Sequence, residues 1–317
     1  MDEVLPYQRP VPGDGPGFIV RHEHGRDRER LIELTNSAIE ELDDLRDYFD
    51  YRASNLRSFA RDARKLAGLF HALKPDSPEV RVFLQIAARA IGAAGVRLLP
   101  GEAPLEVDLG RGPVTLPRLP NISGSLGLGD VVTGFHAAIA TGDTIALDLL
   151  AQAPLDRLNE APRVTERCYL YHQARGLKTL LAGDRAGNGM LVAAMQGCNS
   201  SEMAQGERDY AQFLASPEIE LILFHTMSDE QARRDGEAVF DERLRNALQM
   251  HRRYWSGFGP APGQRWHDDP DGFIALGPLA AVAARQDAGL PVGLISDYLP
   301  RSVTNRNPQA APEAASA

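Results

Sequence analysis

Apolar positions recur with a helical period along most of the chain. In 27–49, Leu31, Leu34, Ala38, Leu42, Leu45 and Phe49 fall on one stripe. In 54–73, Leu56, Phe59, Ala60, Ala63, Leu66, Ala67, Phe70 and Leu73 fall on another. This is the spacing of an amphipathic helix. No Pro or Gly separates the two segments, and one unbroken helix would be about 70 Å long at 1.5 Å per residue. A break is therefore expected near Asp50 to Ser54, with Ser54 as N-cap. In "DSPEVRVFLQIAARAIGAAG", Ser77 reads as an N-cap and Pro78 as the first helical residue, with Val80, Phe83, Leu84, Ala87 and Ile91 as the buried stripe. Ser216 and Pro217 repeat that device before "EIELILFHTM". Ser228 with Gln231 forms a capping-box pattern ahead of a long helix. The stripe of that helix is Phe240, Leu244, Ala247, Leu248, His251, Tyr254 and Trp255.

One stretch alternates instead. "PLEVDLGRGPVTLP" (104–117) presents Leu105, Val107 and Leu109, turns at Gly110 to Gly112, and resumes with Val114 and Leu116. That pattern predicts a β-hairpin. Shorter helices are expected at about 127–141, 143–152, 165–182, 187–198 and 206–215. No fixed-period repeat is visible, which disfavours solenoids. The expected fold class is mainly α, a multi-helix bundle with one small β-hairpin insertion near 104–117; short links imply antiparallel neighbours. Residues 1–25, rich in Pro and Gly, read as an extended arm. Residues 26–302 read as a single helical domain, and 303–317 as a disordered Pro/Ala tail.

Composition narrows the function classes. Hydrophobic residues make up 43% and charged residues 24% of the 317, enough for a sizeable core. The formal net charge of -9 disfavours nucleic acid as a partner and leaves a basic protein open. The two cysteines, Cys168 and Cys198, form neither a disulfide framework nor a zinc ribbon. They point to reduced thiols in the cytosol. "MDEVLPYQRPVPGDGPG" lacks the plan of a secretory signal, and no apolar run reaches the roughly 18 residues of a membrane span. The expected location is cytoplasmic, with no membrane contact.

Candidate chemistry is sparse. "GSLGLGDVVTG" (124–134) precedes a helix but lacks the strand and spacing of a dinucleotide fingerprint, and reads as a flexible link and helix start. "GDRAGNGM" (183–190) lacks the Lys-Ser/Thr ending of a P-loop and reads as a turn. In "RHEHGRD" (21–27), His22 and His24 lie on one side of an extended segment, so a metal pair is geometrically open. The plainer reading is a solvated polar segment. "WHDDPD" (266–271) sets His267 beside Asp268, Asp269 and Asp271, which suits either a cation or acid/base work. It is also a turn whose acids favour a following helix N-terminus. His136 and His251 sit on helical stripes and read as packed core histidines. No catalytic constellation emerges, and no catalytic, metal-binding or cofactor-binding residue is assigned.

Charge patterning says more. Residues 40–50 carry Glu40, Glu41, Asp43, Asp44, Asp47 and Asp50 against Arg46 alone. The following segment carries Arg52, Arg57, Arg61, Arg64 and Lys65 against Asp62. Either these are two solvated faces that attract each other, or Glu40, Glu41, Asp43, Asp44 and Asp47 form a face that docks a basic partner.

Near the C-terminus, "DPDGFIALGPLA" (269–280) places a helix breaker inside an apolar run. Proline is tolerated in the first turn of a helix and costs on the order of 3 kcal/mol later. The helix could begin at Pro278, with "DGFIAL" as a buried turn beneath it. Alternatively it could start at Gly272 and kink at Pro278. Gly289 then stops it, and "LPVGLI" leaves as an extended strap.

Read together, "ALQMHRRYW", "DPDGFIALGPLAAVA" and "DAGLPVGLISDYLP" resemble the immunity 49 family of bacterial polymorphic-toxin systems. The residues that carry the likeness are Tyr254, Trp255, Asp271, Gly272, Leu276, Gly277, Pro278, Leu279, Asp297, Tyr298, Leu299 and Pro300. They read as structural, the signature of a core. The resemblance implies a mostly helical, non-enzymatic protein that neutralises a cognate, cytosol-acting toxin by stoichiometric blockade, without a cofactor. The rival classes are a metal-assisted hydrolase using His22, His24 and the 267–271 acids, and a helical scaffold without toxin antagonism.

Overall fold

The computed structural model describes residues 14–15, 17–46, 53–110, 112–119, 126–160, 168–199, 203–227, 236–259 and 266–304. The chain is mainly α-helical. After a two-residue strand β1 (Phe18–Ile19) come α1 (Arg28–Arg46), α2 (Ala53–Leu73) and α3 (Glu79–Arg97). A hairpin of β2 (Leu105–Asp108) and β3 (Pro113–Leu116) follows. Then come α4 (Leu128–Thr141), α5 (Thr144–Ala151), α6 (Leu155–Asn159), α7 (Cys168–Leu181) and α8 (Gly187–Gly197). A continuous helical stretch comprises α9 (Gln205–Tyr210), a wide π turn (Ala211–Ala215) and α10 (Ser216–Met227). The chain closes with α11 (Glu237–Gly257), a 3-10 turn (Pro270–Gly272), α12 (Leu276–Asp287), β4 (Ile295–Ser296) and α13 (Arg301–Thr304).

The sequence stripes are the buried faces. Leu31 and Leu42 of α1 are buried, as are Leu56, Phe59, Ala60, Ala63, Leu66 and Ala67 of α2. On α3 the single-stripe expectation was too narrow, because nearly every residue from Ile86 to Arg97 is buried. Small residues on its far face explain this. A Cβ on Gly92 would lie 2.6 Å from Leu149 Cβ, and one on Gly95 would lie 3.0 Å from Ala153 Cβ, so α5 and the chain after it seat directly on α3. With α2 and α4 on its other sides, α3 is the central helix. One apolar cluster extends from Ile19 to Val303, and a smaller one joins Leu31, Leu69 and Phe273.

The hairpin forms where the alternation placed it, antiparallel, with Leu105 opposite Leu116 and Val107 opposite Val114. Gly110 and Gly112 take φ of +93° and +97°. The Asp108 carboxylate accepts both of their N–H groups, at 2.7 and 3.2 Å. Glycine is needed there because side chains rarely adopt positive φ.

Three helix-start expectations change. Ser77 does not cap α3 through its side chain. Its hydroxyl donates to the neighbouring Glu79 carboxylate, and the helix runs from Glu79 behind Pro78. Ser216, the first residue of α10, does not cap the start of a new helix. The chain arrives already helical from Gln205, and the wide turn at 211–215 precedes Pro217, which lacks an N–H and crowds the carbonyl four residues back. Ser54 lies inside α2, which is helical from Ala53. The remainder of the expected break at 50–54 and the Ser228/Gln231 capping box fall outside the described residues.

The Gly-Pro question resolves in favour of a buried turn followed by a helix. α12 begins at Leu276, which places Pro278 in its first turn, where its missing N–H has no helical partner to lose. Phe273, Ile274 and Ala275 lie beneath, all buried. Gly289, at φ +70°, ends the helix. Its N–H donates to Gln286 O at 2.9 Å and the Leu290 N–H to Arg285 O at 3.0 Å, the paired bonds of a Schellman stop.

The 3-10 turn packs against α2 at a glycine. A Cβ on Gly68 would sit 2.9 Å from the Pro270 carbonyl carbon and closer still to its oxygen. Gly68→Ala would ordinarily add about 1 kcal/mol of helix propensity. Here the clash with backbone should reverse the sign and cost about 3 kcal/mol. Urea denaturation midpoints check this; a stabilised variant would mean that the turn is not seated on α2.

Candidate functional site

Glu40, Glu41, Asp43 and Asp44 all lie exposed on α1, while Leu42 between them is fully buried. The helix thus turns its carboxylates outward because its apolar stripe turns inward. Asp47 lies outside the described residues. Arg57 pairs with Asp130 at 2.7 Å and Arg64 with Asp271 at 2.6 Å.

The C-terminal signature residues gather partners from far apart in the chain. Arg64 of α2 grips Asp271 with two hydrogen bonds, Nε to Oδ1 at 2.9 Å and Nη2 to Oδ2 at 2.6 Å. Asp269 caps the turn by accepting the Asp271 N–H at 3.1 Å. A Cβ on Gly272 would lie 2.5 Å from the Trp255 ring, so only glycine lets α11 lay its indole on the turn. His251 of α11 reaches Gly272 O through Nε2 at 3.0 Å. A Cβ on Gly277 would meet Glu218 Oε1 at 2.5 Å, because α10 brings that carboxyl directly over the start of α12. Leu279 and Leu299 are buried, as is Pro300, and Tyr254 packs edge-on against Tyr210.

Tyr298 joins this cluster to the N-terminal strap. The His22 N–H donates to the Tyr298 hydroxyl at 2.9 Å, and His22 Nδ1 lies 2.8 Å from the same oxygen. β1 pairs in parallel with β4, Phe18 opposite Ile295 and Ile19 opposite Ser296. The buried pair Arg252–Asp14, at 2.9 Å, holds the strap to α11.

His22 is therefore not solvated, as the sequence suggested; it is 6% exposed. The acids of 267–271 are each committed. Asp268 accepts the Gly25 N–H at 2.8 Å, Asp269 caps the turn and Asp271 holds Arg64. Among the described residues no group of three or more His, Cys, Asp or Glu is placed to hold a metal ion.

Burial sets the protonation states. It pushes His22, His71 and His136 down to about 4 and His251 to about 3, and it raises Glu218 to about 8 against the opposing Gly277 N–H. His136 Nδ1 and Glu218 Oε2 lie 3.8 Å apart, and burial keeps both neutral. Glu218 and Gln173 escaped the sequence reading. Glu218 looked like an ordinary first-turn acid. Gln173 stands on the buried stripe of α7 between Tyr169 and Leu177, and a polar residue on an apolar stripe was the available signal.

The fold and this cluster define a class: a mainly helical protein whose signature residues build the join between its two terminal segments and its core. The family model for Immunity protein 49 matches residues 74–303, so the chain belongs to that family. No curated protein and no solved structure matches it. Among the described residues no helix is long and apolar enough to cross a membrane.

Proposed function

We propose that the protein binds a cognate toxin domain one-to-one in the cytoplasm and blocks it without catalysis. The toxin acts in the cytosol and presents a basic surface to Glu40, Glu41, Asp43, Asp44 and Asp47. Family membership supports the immunity role. The observation that carries the choice of face is the run of exposed carboxylates on α1. A family model describes what members share, and these acids precede residue 74, outside the matched segment. Such a position suits a surface particular to one partner. The signature residues, by contrast, are mostly buried and serve the fold.

Co-expression tests the role. The C-terminal domain encoded by the adjacent gene, expressed alone in a naive bacterium, should kill. Expressed with this protein it should not, and the two should purify as a one-to-one complex. Death in both cases would overturn the pairing. The face has its own test. Replacing Glu40, Glu41, Asp43 and Asp44 by Lys should slow association about tenfold or more at low salt and flatten its salt dependence. Stopped-flow rates unchanged in both respects would exclude the α1 face.

A further inference from the structure

A cavity of about 220 Å³ lies where α4, α7, α10, α11 and the start of α12 meet. Gln173, His136, Glu218, Tyr210, Trp255 and Gly277 are among its walls. Arg64 and Thr133 border it and also border a larger outer cleft of about 410 Å³ between α2 and α4.

The polar groups inside are unusual. Gln173 is 1% exposed, and neither its amide nitrogen nor its amide oxygen has a hydrogen-bond partner among the described residues. The same holds for His136 Nε2, in a side chain 3% exposed, and for Trp255 Nε1. A buried polar atom left unpaired costs about 1–3 kcal/mol, and native proteins rarely leave several together. The space, many times the roughly 10–15 Å³ that one water requires, is large enough for a small organic molecule as well as for several waters. Val132, Leu214 and Ile274 make much of the remaining wall apolar.

Charge selects further. The Arg64 guanidinium is already satisfied by both oxygens of Asp271. Burial holds His136 and Glu218 neutral. No free charge remains among these groups to compensate an ionic ligand.

We propose that this cavity is a binding site for a small, uncharged, planar molecule bearing both hydrogen-bond donors and acceptors, of the heteroaromatic or amide class. The Gln173 amide supplies a donor and an acceptor, Trp255 Nε1 donates, and His136 Nε2 takes either role according to its tautomer. The apolar walls and the indole cover the flat faces. The site is separate from the α1 face, and its failure would leave the immunity reading untouched.

Titration calorimetry of the full chain at pH 7 with nicotinamide and with adenine tests this. At least one should bind saturably, one-to-one, with Kd about millimolar or tighter. Gln173→Leu should weaken that binding about tenfold or more. Trp255→Phe, which keeps the aromatic wall and removes the donor, should weaken it less, and keeps the test open if the first variant misfolds. No saturable heat from either probe would overturn the proposal, as would affinity unchanged in both variants. A crystal structure of the probe-soaked protein showing only water in the cavity would overturn it too.

Discussion

Lowering the pH from 7 to 5 should strip the protein of most of its stability, through histidines. His22, His71, His136 and His251 are each 6% exposed or less, and burial holds them down to about 4, 4, 4 and 3 from 6.5. Below pH 6.5 the unfolded chain takes up protons that the folded chain refuses. The unfolded state then binds more protons, and stability falls as pH falls toward 4. Each histidine should cost about 2 kcal/mol by pH 5. Glu218 works in the opposite sense. Raised to about 8, it stays protonated in the fold while the unfolded chain ionises above 4.5, so its contribution grows as pH drops. It offsets about 2 kcal/mol over the same range. The net loss is comparable to the whole stability of an ordinary domain. Thermal melting across pH 7 to 5 reads this directly. A flat melting temperature would mean that the four imidazoles are not buried neutral. His71→Gln, whose amide can still donate to the Asp297 carbonyl that His71 Nε2 meets at 2.5 Å, should reduce the slope.

The second large effect is expected at Asp271. Its carboxylate neutralises Arg64, whose side chain is only 28% exposed, across 207 positions of sequence. Asp271→Ala leaves the guanidinium half-buried and unpaired at this contact, which should cost about 3 kcal/mol or more. It also removes the contact that ties the 270–272 turn to α2. Replacing both partners, Arg64→Met with Asp271→Leu, should cost much less than the two single changes added together, because no lone charge is then left behind. Denaturant unfolding of the four proteins in the cycle measures the coupling. Additive losses would show that the pair contributes nothing beyond its separate contacts.

Different parts of this structure were legible to different degrees. Periodicity located α1 to α3 and the hairpin to within a few residues, and the stripe of the long α11, because a helix or strand with one buried face must repeat its apolar positions at 3.6 or 2 residues. Helix starts were less legible. Ser77 and Ser216 both precede proline, yet neither acts as expected. Glu79 competes for the Ser77 hydroxyl, and the chain before Ser216 was already helical. The all-round burial of α3 was hidden because Ala and Gly count as weakly apolar, although they are what lets two further helices approach.

The candidate sites divide in the same way. The exposed carboxylates of α1 could be read directly, since solvent-facing charge on a helix depends only on that helix. The burial of His22 could not, because it depends on Tyr298 and on a two-residue parallel pairing that leaves no periodic trace. Gly272 and Gly277 were visible as a motif, but not their reason, which lies in Trp255 and Glu218 on other helices.

The sequence by itself determined the helical class, the hairpin, the acidic face and, through its C-terminal signature, the family. These depend on local periodicity, turn chemistry and residue order, all carried within short windows. Only the tertiary structure decided which helix is central, how the two terminal segments close on each other, and where buried polar groups gather around a cavity. Those depend on contacts between residues tens to hundreds of positions apart. No local pattern encodes such a contact, because its free energy arises only when the chain has folded and water has left.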